Sequence, residues 1–136
     1  FKVIHVPGHT SGHICFHFFN EKTVFTGDTL FSLGCGRIFE GSYEDMFNSL
    51  LRLKVLPPET KVYFGHEYTL NNAIFCQRFD QNNSELNKKI LNIKKKLDSG
   101  FPSVPSTIKD ELNCNIFLRA KNQEEFSKLR DLKDNF

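Results

Sequence analysis

The chain has 136 residues, of which 39% are apolar and 25% charged, and a formal net charge of +2. That length suits one domain or one and a half small ones, and the apolar share can build a core, which excludes wholesale disorder. So small a net charge gives no reason to expect nucleic acid, and no apolar run approaches the ~20 residues of a membrane span, so we expect neither as a partner.

Residues 2–6 (KVIHV) predict a short strand that stops at Pro7-Gly8. The chain opens on Phe rather than Met, with no visible signal peptide and a strand already under way. We therefore expect the protein to begin upstream and the chain to be a fragment. Residues 14–19 (ICFHFF) read as a second strand, and Thr23 to Thr26 as a third after a polar turn. A Gly-rich loop follows, holding Gly27, Gly34, Gly36 and Gly41. Ser42 with Asp45 three residues on makes an imperfect capping box for a helix striped with Met46, Phe47, Leu50, Leu51 and Leu53. Pro57-Pro58 end it, and residues 61–64 (KVYF) predict a fourth strand closed by Gly65. Strands alternating with a helix indicate an α/β arrangement.

After His66 the strand signals vanish, and we place a domain boundary near residue 67. Residues 70–79 and 84–98 predict helices, the second with Leu86, Ile90, Ile93 and Leu97 on one side and Gly100 as its stop. The lysines at 88, 89, 94, 95 and 96 fall mostly opposite that apolar side and form a solvated face. Pro102 and Pro105 mark a linker, Ser106 and Thr107 cap a short helix, and residues 122–136 predict a terminal helix with Phe126, Leu129 and Leu132 inward. Cys15, Cys35, Cys76 and Cys114 form no CxxC pair; we read them as reduced structural thiols in a cytoplasmic protein.

Three polar residues share one setting. His9 follows the first strand in PGHTSGH, Asp28 follows the third in FTGDT, and His66 follows the fourth in FGHEY. Glycine beside each lets the chain turn sharply and approach a ligand closely. Side chains at the ends of neighbouring strands converge on one edge of a sheet, and imidazole and carboxylate suit Zn²⁺ or Fe²⁺. The two oxygens of Asp28 could serve two metals about 3.5–4 Å apart. Taken singly, a histidine after a strand is an ordinary hydrogen-bonded loop residue and a Gly-Asp pair an ordinary turn. The joint pattern raises the three to a candidate metal site.

PGHTSGH, FTGDTLF and GHEYT, in that order, resemble the later metal-binding motifs of the metallo-β-lactamase superfamily, and GCGRIFEG, VPST and the closing RxxK narrow the resemblance to glyoxalase II, the hydroxyacylglutathione hydrolases. It covers essentially the whole chain. The resemblance implies the C-terminal half of an αββα sandwich over residues 1–66 and a small all-helical, glutathione-binding domain over residues 67–136. It implies two divalent metal ions, zinc first and iron or manganese as alternatives, with His9 on one, His66 on the other and Asp28 bridging both as the catalytic carboxylate. It assigns glutathione contacts to Arg37, Tyr68, Arg130 and Lys133. The implied reaction is attack of a metal-bound hydroxide on S-D-lactoylglutathione, giving D-lactate and glutathione in the second step of methylglyoxal detoxification, by a cytoplasmic monomer.

The residue chemistry is compatible with those roles. Arg offers a planar fork for a carboxylate and Lys a compact charge, and Arg130 and Lys133, three apart, share a helix face. They could equally be an ordinary surface pair, Tyr68 could simply pack, and Arg37 could be solvated. The sequence also departs from the family. Its first metal motif, His-x-His-x-Asp-His, which supplies more than half of the ligands, does not occur in these residues. We therefore expect no complete dinuclear site, and no activity, from this chain alone. Phe39 stands where many members place Tyr. His13 reads as a support for ligands rather than a ligand, His5 and His17 carry no assigned function, and Cys35 lacks a basic partner and reads as structural. The rival readings are another enzyme of the fold, such as a lactonase or a mononuclear-iron persulfide dioxygenase, and a non-catalytic half that binds glutathione or a partner.

Overall fold

The computed structural model describes all residues from Phe1 to Phe136. In chain order it holds β1 (Lys2–His5), β2 (Ile14–Phe18), β3 (Thr23–Gly27), β4 (Leu30–Phe31), β5 (Gly34–Cys35), α1 (Tyr43–Lys54), β6 (Lys61–Phe64), α2 (Thr69–Phe79), α3 (Ser84–Asp98), β7 (Ser106–Thr107), α4 (Ile108–Cys114) and α5 (Gln123–Asp134). Five strands make one sheet in the order β1-β2-β3-β6-β7, and β4 and β5 form a separate small hairpin. The pairings are antiparallel except for β3 with β6, which run parallel. A parallel pair requires a crossover, and the hairpin and α1 supply it.

The two faces of the sheet differ. Cys15 and His17 of β2, Val24 and Thr26 of β3, and Val62 of β6 point into the core. Cys15, Val24 and Val62 join Met46, Leu50 and Leu53 of α1 and the apolar faces of α2 to α5 in one continuous cluster. On the other face, Val3, Phe16, Phe25 and Tyr63 lie side by side across four strands. Phe16 and Phe25 are 39% and 44% exposed, and Phe25 stacks on Tyr63 at 5.3 Å. Both faces are therefore apolar, and only one is covered by this chain's helices.

Local chemistry explains the helix starts. Ser42 Oγ accepts from the Asp45 N–H while Asp45 Oδ2 accepts from the Ser42 N–H, so both arms of the capping box form, the second through the shorter Asp side chain. Asn83, Thr107 and Asn122 cap α3, α4 and α5 through side-chain oxygens. Gly100, with φ +81°, follows α3 and stops it.

Three expectations need correction. Residues 67–136 are not all helical: besides capping α4, Thr107 pairs with Lys61 and Ser106 with Val62, adding β7 to the sheet edge. The Gly-rich loop contains the β4–β5 hairpin, turned at Leu33 with φ +62°. Leu132 is not inward but 49% exposed. Positions 126, 129, 130 and 133 form one i, i+3, i+4, i+7 stripe, so Arg130 takes the inward place and is only 3% exposed.

All four cysteines are free and buried. Burial pushes the thiols of Cys15, Cys76 and Cys114 up to about 12. A charged group is buried as well: Glu111 of α4 is fully inaccessible. Its Oε1 accepts from the Leu33 N–H at 2.7 Å and from Asn115 Nδ2 at 3.1 Å, and its Oε2 accepts from the Ser106 hydroxyl and faces Lys89 Nζ at 3.5 Å. These partners replace the water the carboxylate loses.

Removing one side of such a pair strands the other. Glu111→Ala leaves the buried Leu33 N–H without its acceptor and the Lys89 ammonium with only Ser106 and the exposed Asp110, and we expect a loss of about 3 kcal/mol, read from the urea unfolding midpoint. A second prediction concerns pH. Burial, and then the Lys2 ammonium opposite it in the sheet, lower the pKa of His17. The unfolded chain takes up this proton near pH ~6.5, while the folded chain takes it up only at lower pH. Stability is therefore present above that range and declines as pH falls through it. Unfolding at pH 7.5 and 5.5 will show a larger acid-side loss in the unaltered chain than in His17→Gln.

Candidate metal centre

The parallel pairing of β3 and β6 sets the centre. Their carboxyl ends lie side by side, so Asp28 and His66, one or two residues beyond each strand, emerge as neighbours. Gly65 makes the approach possible, because a Cβ there would sit 2.7 Å from Asp28 Oδ1. His66 Nε2 lies 3.1 Å from Asp28 Oδ1. His9 arrives from the β1–β2 connection, and its Nε2 lies 3.6 Å from Asp28 Oδ2. The three side chains thus meet, with each imidazole on its own carboxylate oxygen.

Hydrogen bonds orient the donors. His9 Nδ1 donates to the Arg37 carbonyl at 2.8 Å, which leaves the Nε2 lone pair facing Asp28. The Asp28 backbone N–H donates to His13 Nε2 at 3.2 Å, so His13 supports the residue that carries the carboxylate. No three His, Cys, Asp or Glu side chains enclose a single point as a cage; the set is two His–carboxylate pairs sharing Asp28. Two donors each ~2.1 Å from one ion in a tetrahedral shell lie roughly 3.4 Å apart. The 3.6 and 3.1 Å separations therefore fit a divalent cation beside each imidazole, with further ligands needed to complete either shell.

These residues border a cleft of about 360 Å³ whose lining also includes Arg37, Tyr68, Arg130 and Lys133. The structure thus brings every sequence-predicted site residue to one concavity, but not in equivalent states. Tyr68 is half exposed and stacks on His66, with ring centroids 5.0 Å apart and an angle of 18°. Arg37 is exposed, with Nε 3.7 Å from Asp134 Oδ1. Lys133 is partly buried; desolvation first, and then the Arg130 and Arg37 charges, lower its pKa from the ordinary lysine value. Arg130 is not the surface pair of Lys133. Its guanidinium is committed to the Cys35 carbonyl at 2.6 Å and to Asp134 at 2.9 and 3.0 Å.

Other lining residues escaped the sequence reading. Phe31 packs edge-on against Tyr68 at 5.2 Å. Asn71 and Asn72 of α2 line the cleft beside Tyr68, and Asn72 donates to the Ser32 carbonyl. The signal available for both was their position in the first turn of the helix after GHEYT. Phe39 is 67% exposed and its ring lies 5.0 Å from that of His9. Burial raises the Cys35 thiol pKa even beside Arg130, which keeps this sulfur neutral.

Comparison with known proteins gives a consistent result. Residues 1–66 match the model of the metallo-beta-lactamase superfamily, and residues 67–136 match that of the hydroxyacylglutathione hydrolase C-terminus. A protein from Pelagibacter ubique named hydroxyacylglutathione hydrolase is 63% identical over 135 residues, covering 99% of this chain and 56% of that protein. One of the same name from Rhizobium etli is 47% identical over 149 residues, covering 99% of this chain and 58% of its own length. The chain thus spans little more than half of these relatives. Among solved structures, ETHE1 from Myxococcus xanthus superposes with a TM-score of 0.65 at 29% identity, over 96% of this chain and 44% of that one. The BLEG-1 B3 metallo-beta-lactamase, at 24% identity and a TM-score of 0.57 over 87% of this chain and 41% of its own, shares the fold. With the whole of residues 67–136 matching one model and residues 1–66, which carry β1 to β6, matching the other, the chain belongs to the hydroxyacylglutathione hydrolase family, within the metallo-β-lactamase superfamily.

Proposed function

We propose that His9, Asp28 and His66 hold two divalent cations, with His9 on one, His66 on the other and Asp28 between them, in a hydrolase of S-(2-hydroxyacyl)glutathione thioesters. S-D-lactoylglutathione is the substrate we assign, with D-lactate and glutathione as products. The observation that carries the reading is the placing of two imidazoles on opposite oxygens of one carboxylate, at a cleft whose lining also includes Arg37, Arg130 and Lys133. The names of the similar proteins support it. Nitrogen and oxygen donors of this kind accept zinc, iron or manganese, and zinc is our first choice. Such ions lower the pKa of water to about 7 and stabilise charge on a carbonyl oxygen.

The chain's own residues do the rest. Asp28 and His9 are held in place through His13 and the Arg37 carbonyl. Arg37 and Lys133 attract the carboxylates of the glutathione portion. Tyr68 braces His66 by stacking on its ring and lines the cleft. The leaving group is a thiolate whose parent thiol has a pKa of about 8.5, so no strong general acid is needed. We also propose that residues 1–66 and 67–136 are the catalytic and ligand-binding domains, and that the protein works in the cytoplasm. Four unpaired thiols are compatible with a reducing compartment. No helix is long and apolar enough to cross a membrane.

The test is an assay of S-D-lactoylglutathione hydrolysis with added zinc, on this chain alone and on this chain fused behind the preceding segment of the Pelagibacter ubique relative. We expect negligible turnover from the first and robust turnover from the second. In the fusion, Asp28→Asn should lower kcat/KM by at least ~100-fold. Lys133→Ala should raise KM by roughly 10- to 150-fold with little change in kcat, as loss of one charged contact worth about 1.5–3 kcal/mol requires. Unaltered rates in Asp28→Asn would dismiss the metal reading, and strong turnover by the chain alone would show that these residues suffice for the reaction.

A further inference from the structure

We propose that Glu67 is a positioning residue: its carboxylate clasps the turn that carries His66 and Tyr68 to Ser103, in the linker between α3 and β7, and so sets the direction in which His66 enters the metal centre. The two imidazoles of the centre are oriented by different means. The ring of His9 is fixed by its own Nδ1–H, on the Arg37 carbonyl. His66 has no such bond: its Nε2 faces Asp28 Oδ1 at 3.1 Å, and its ring lies against those of Tyr68 and Phe31. Its direction must therefore come from the backbone that bears it. That backbone is four residues, Gly65 to Tyr68, between the end of β6 and the start of α2. At one end the Gly65 N–H donates to the Gly27 carbonyl at 2.8 Å. At the other end Tyr68 takes the N-cap position of α2 and makes no side-chain cap. Glu67 supplies the second anchor. Its Oε1 accepts from the Ser103 N–H at 2.7 Å, and its Oε2 accepts from the hydroxyls of Ser103 at 2.5 Å and Thr69 at 3.1 Å. Ser103 and Thr69 are both buried, and their hydroxyls lie 2.6 Å apart.

His66 and Tyr68 line the cleft, while the carboxylate between them is engaged on Ser103 and Thr69, neither of which does. Hydrogen bonds to an ionised acceptor are the short, strong ones, and three of them converge here. The linker is itself held, because β7 follows it and pairs with β6 through Ser106 and Thr107. The turn, the linker, β7 and β6 thus make a closed ring, with Glu67 as its fastening. A neutral amide can keep that fastening. With glutamine the carbonyl oxygen accepts the Ser103 N–H, the amide NH₂ donates to Ser103 Oγ, and the Ser103 hydroxyl turns to Thr69. Glutamine therefore separates a positioning role, which it preserves, from a role in proton transfer, which it ends. The consequence for hydrolysis rests on the proposed role of His66, but the coupling between Glu67 and the His66 ring does not.

The two are separable by experiment. In the metal-free 136-residue chain near pH 8, the ring-proton resonances of His66, assigned from His66→Gln, should carry the upfield displacement that stacking on Tyr68 produces, and Tyr68→Leu should remove it. Glu67→Ala should move these resonances toward their Tyr68→Leu positions. Glu67→Gln should leave them in place, and so should Asn122→Ala, which removes the cap of α5 and lowers stability elsewhere. Should Glu67→Ala fail to fold by circular dichroism, Ser103→Ala, which keeps the N–H bond and loses the hydroxyl, should move the ring in the same direction. In the fusion with the Pelagibacter ubique segment, Glu67→Ala should lower kcat/KM for S-D-lactoylglutathione roughly 10–100-fold, as loss of a ligand-orienting partner does, and Glu67→Gln should restore it. Moved resonances with unchanged hydrolysis would support the clasp while removing His66 from the metal set. Resonances unmoved in both Glu67→Ala and Ser103→Ala would overturn the proposal. So would a Glu67→Gln enzyme as slow as Glu67→Ala with its His66 ring in place, since Glu67 would then act through its proton or charge.

Discussion

One carboxylate answers to two imidazoles, and most of the architecture can be understood as the means of keeping it there. Asp28 follows a strand whose neighbour, β6, runs parallel, so the chain leaves both strands at the same end of the sheet and two distant segments meet without a long excursion. An antiparallel neighbour would have put His66 at the far end. The parallel pair demands a crossover, and the crossover places the β4–β5 hairpin directly over the centre. The Gly36 contact with the Asp28 carbonyl and the Arg37 contact with His9 follow from that placement.

The hairpin has no strand partner in the main sheet, so its position must come from elsewhere. Two charged residues of the helical segment supply it. Glu111 of α4 holds the turn at Leu33, and Arg130 of α5 holds the end at Cys35. Both are buried with their hydrogen-bonding groups engaged, which is the condition under which a charge can be kept inside a protein. In this family member the helices do more than border the cleft, because they hold the loop whose Arg37 carbonyl accepts from His9.

Which features could be read from the residues follows the same physics. Strands with regular alternation, such as β2 and β3, and helices with a clear apolar stripe, such as α3, carry their own signal and lie close to where the pattern puts them. The three polar residues of the centre were legible because each sits beside glycine at a strand end. The two-residue strands β4, β5 and β7 were not, since so short a pairing is dictated by what lies across from it and not by its own composition. The inward place of Arg130 was hidden for a different reason. A periodic stripe at 126, 129, 130 and 133 was there to be found, but an arginine in it conflicts with the expectation that charge faces water, and Leu132 drew the helix face toward itself. Its partners, two backbone carbonyls and Asp134, leave no trace in local sequence.

The row of Val3, Phe16, Phe25 and Tyr63 has a consequence for how the molecule behaves in a tube. Water lying against four neighbouring apolar side chains is released when they meet another apolar surface, so contact through this face is an entropic attraction rather than a charge attraction. Sodium chloride at moderate strength will not dissolve it by screening. Sulfate and phosphate, which are excluded from protein surfaces, will strengthen it, and cooling will weaken it. Any contact made through this face would therefore respond to buffer anion and temperature far more than to ionic strength.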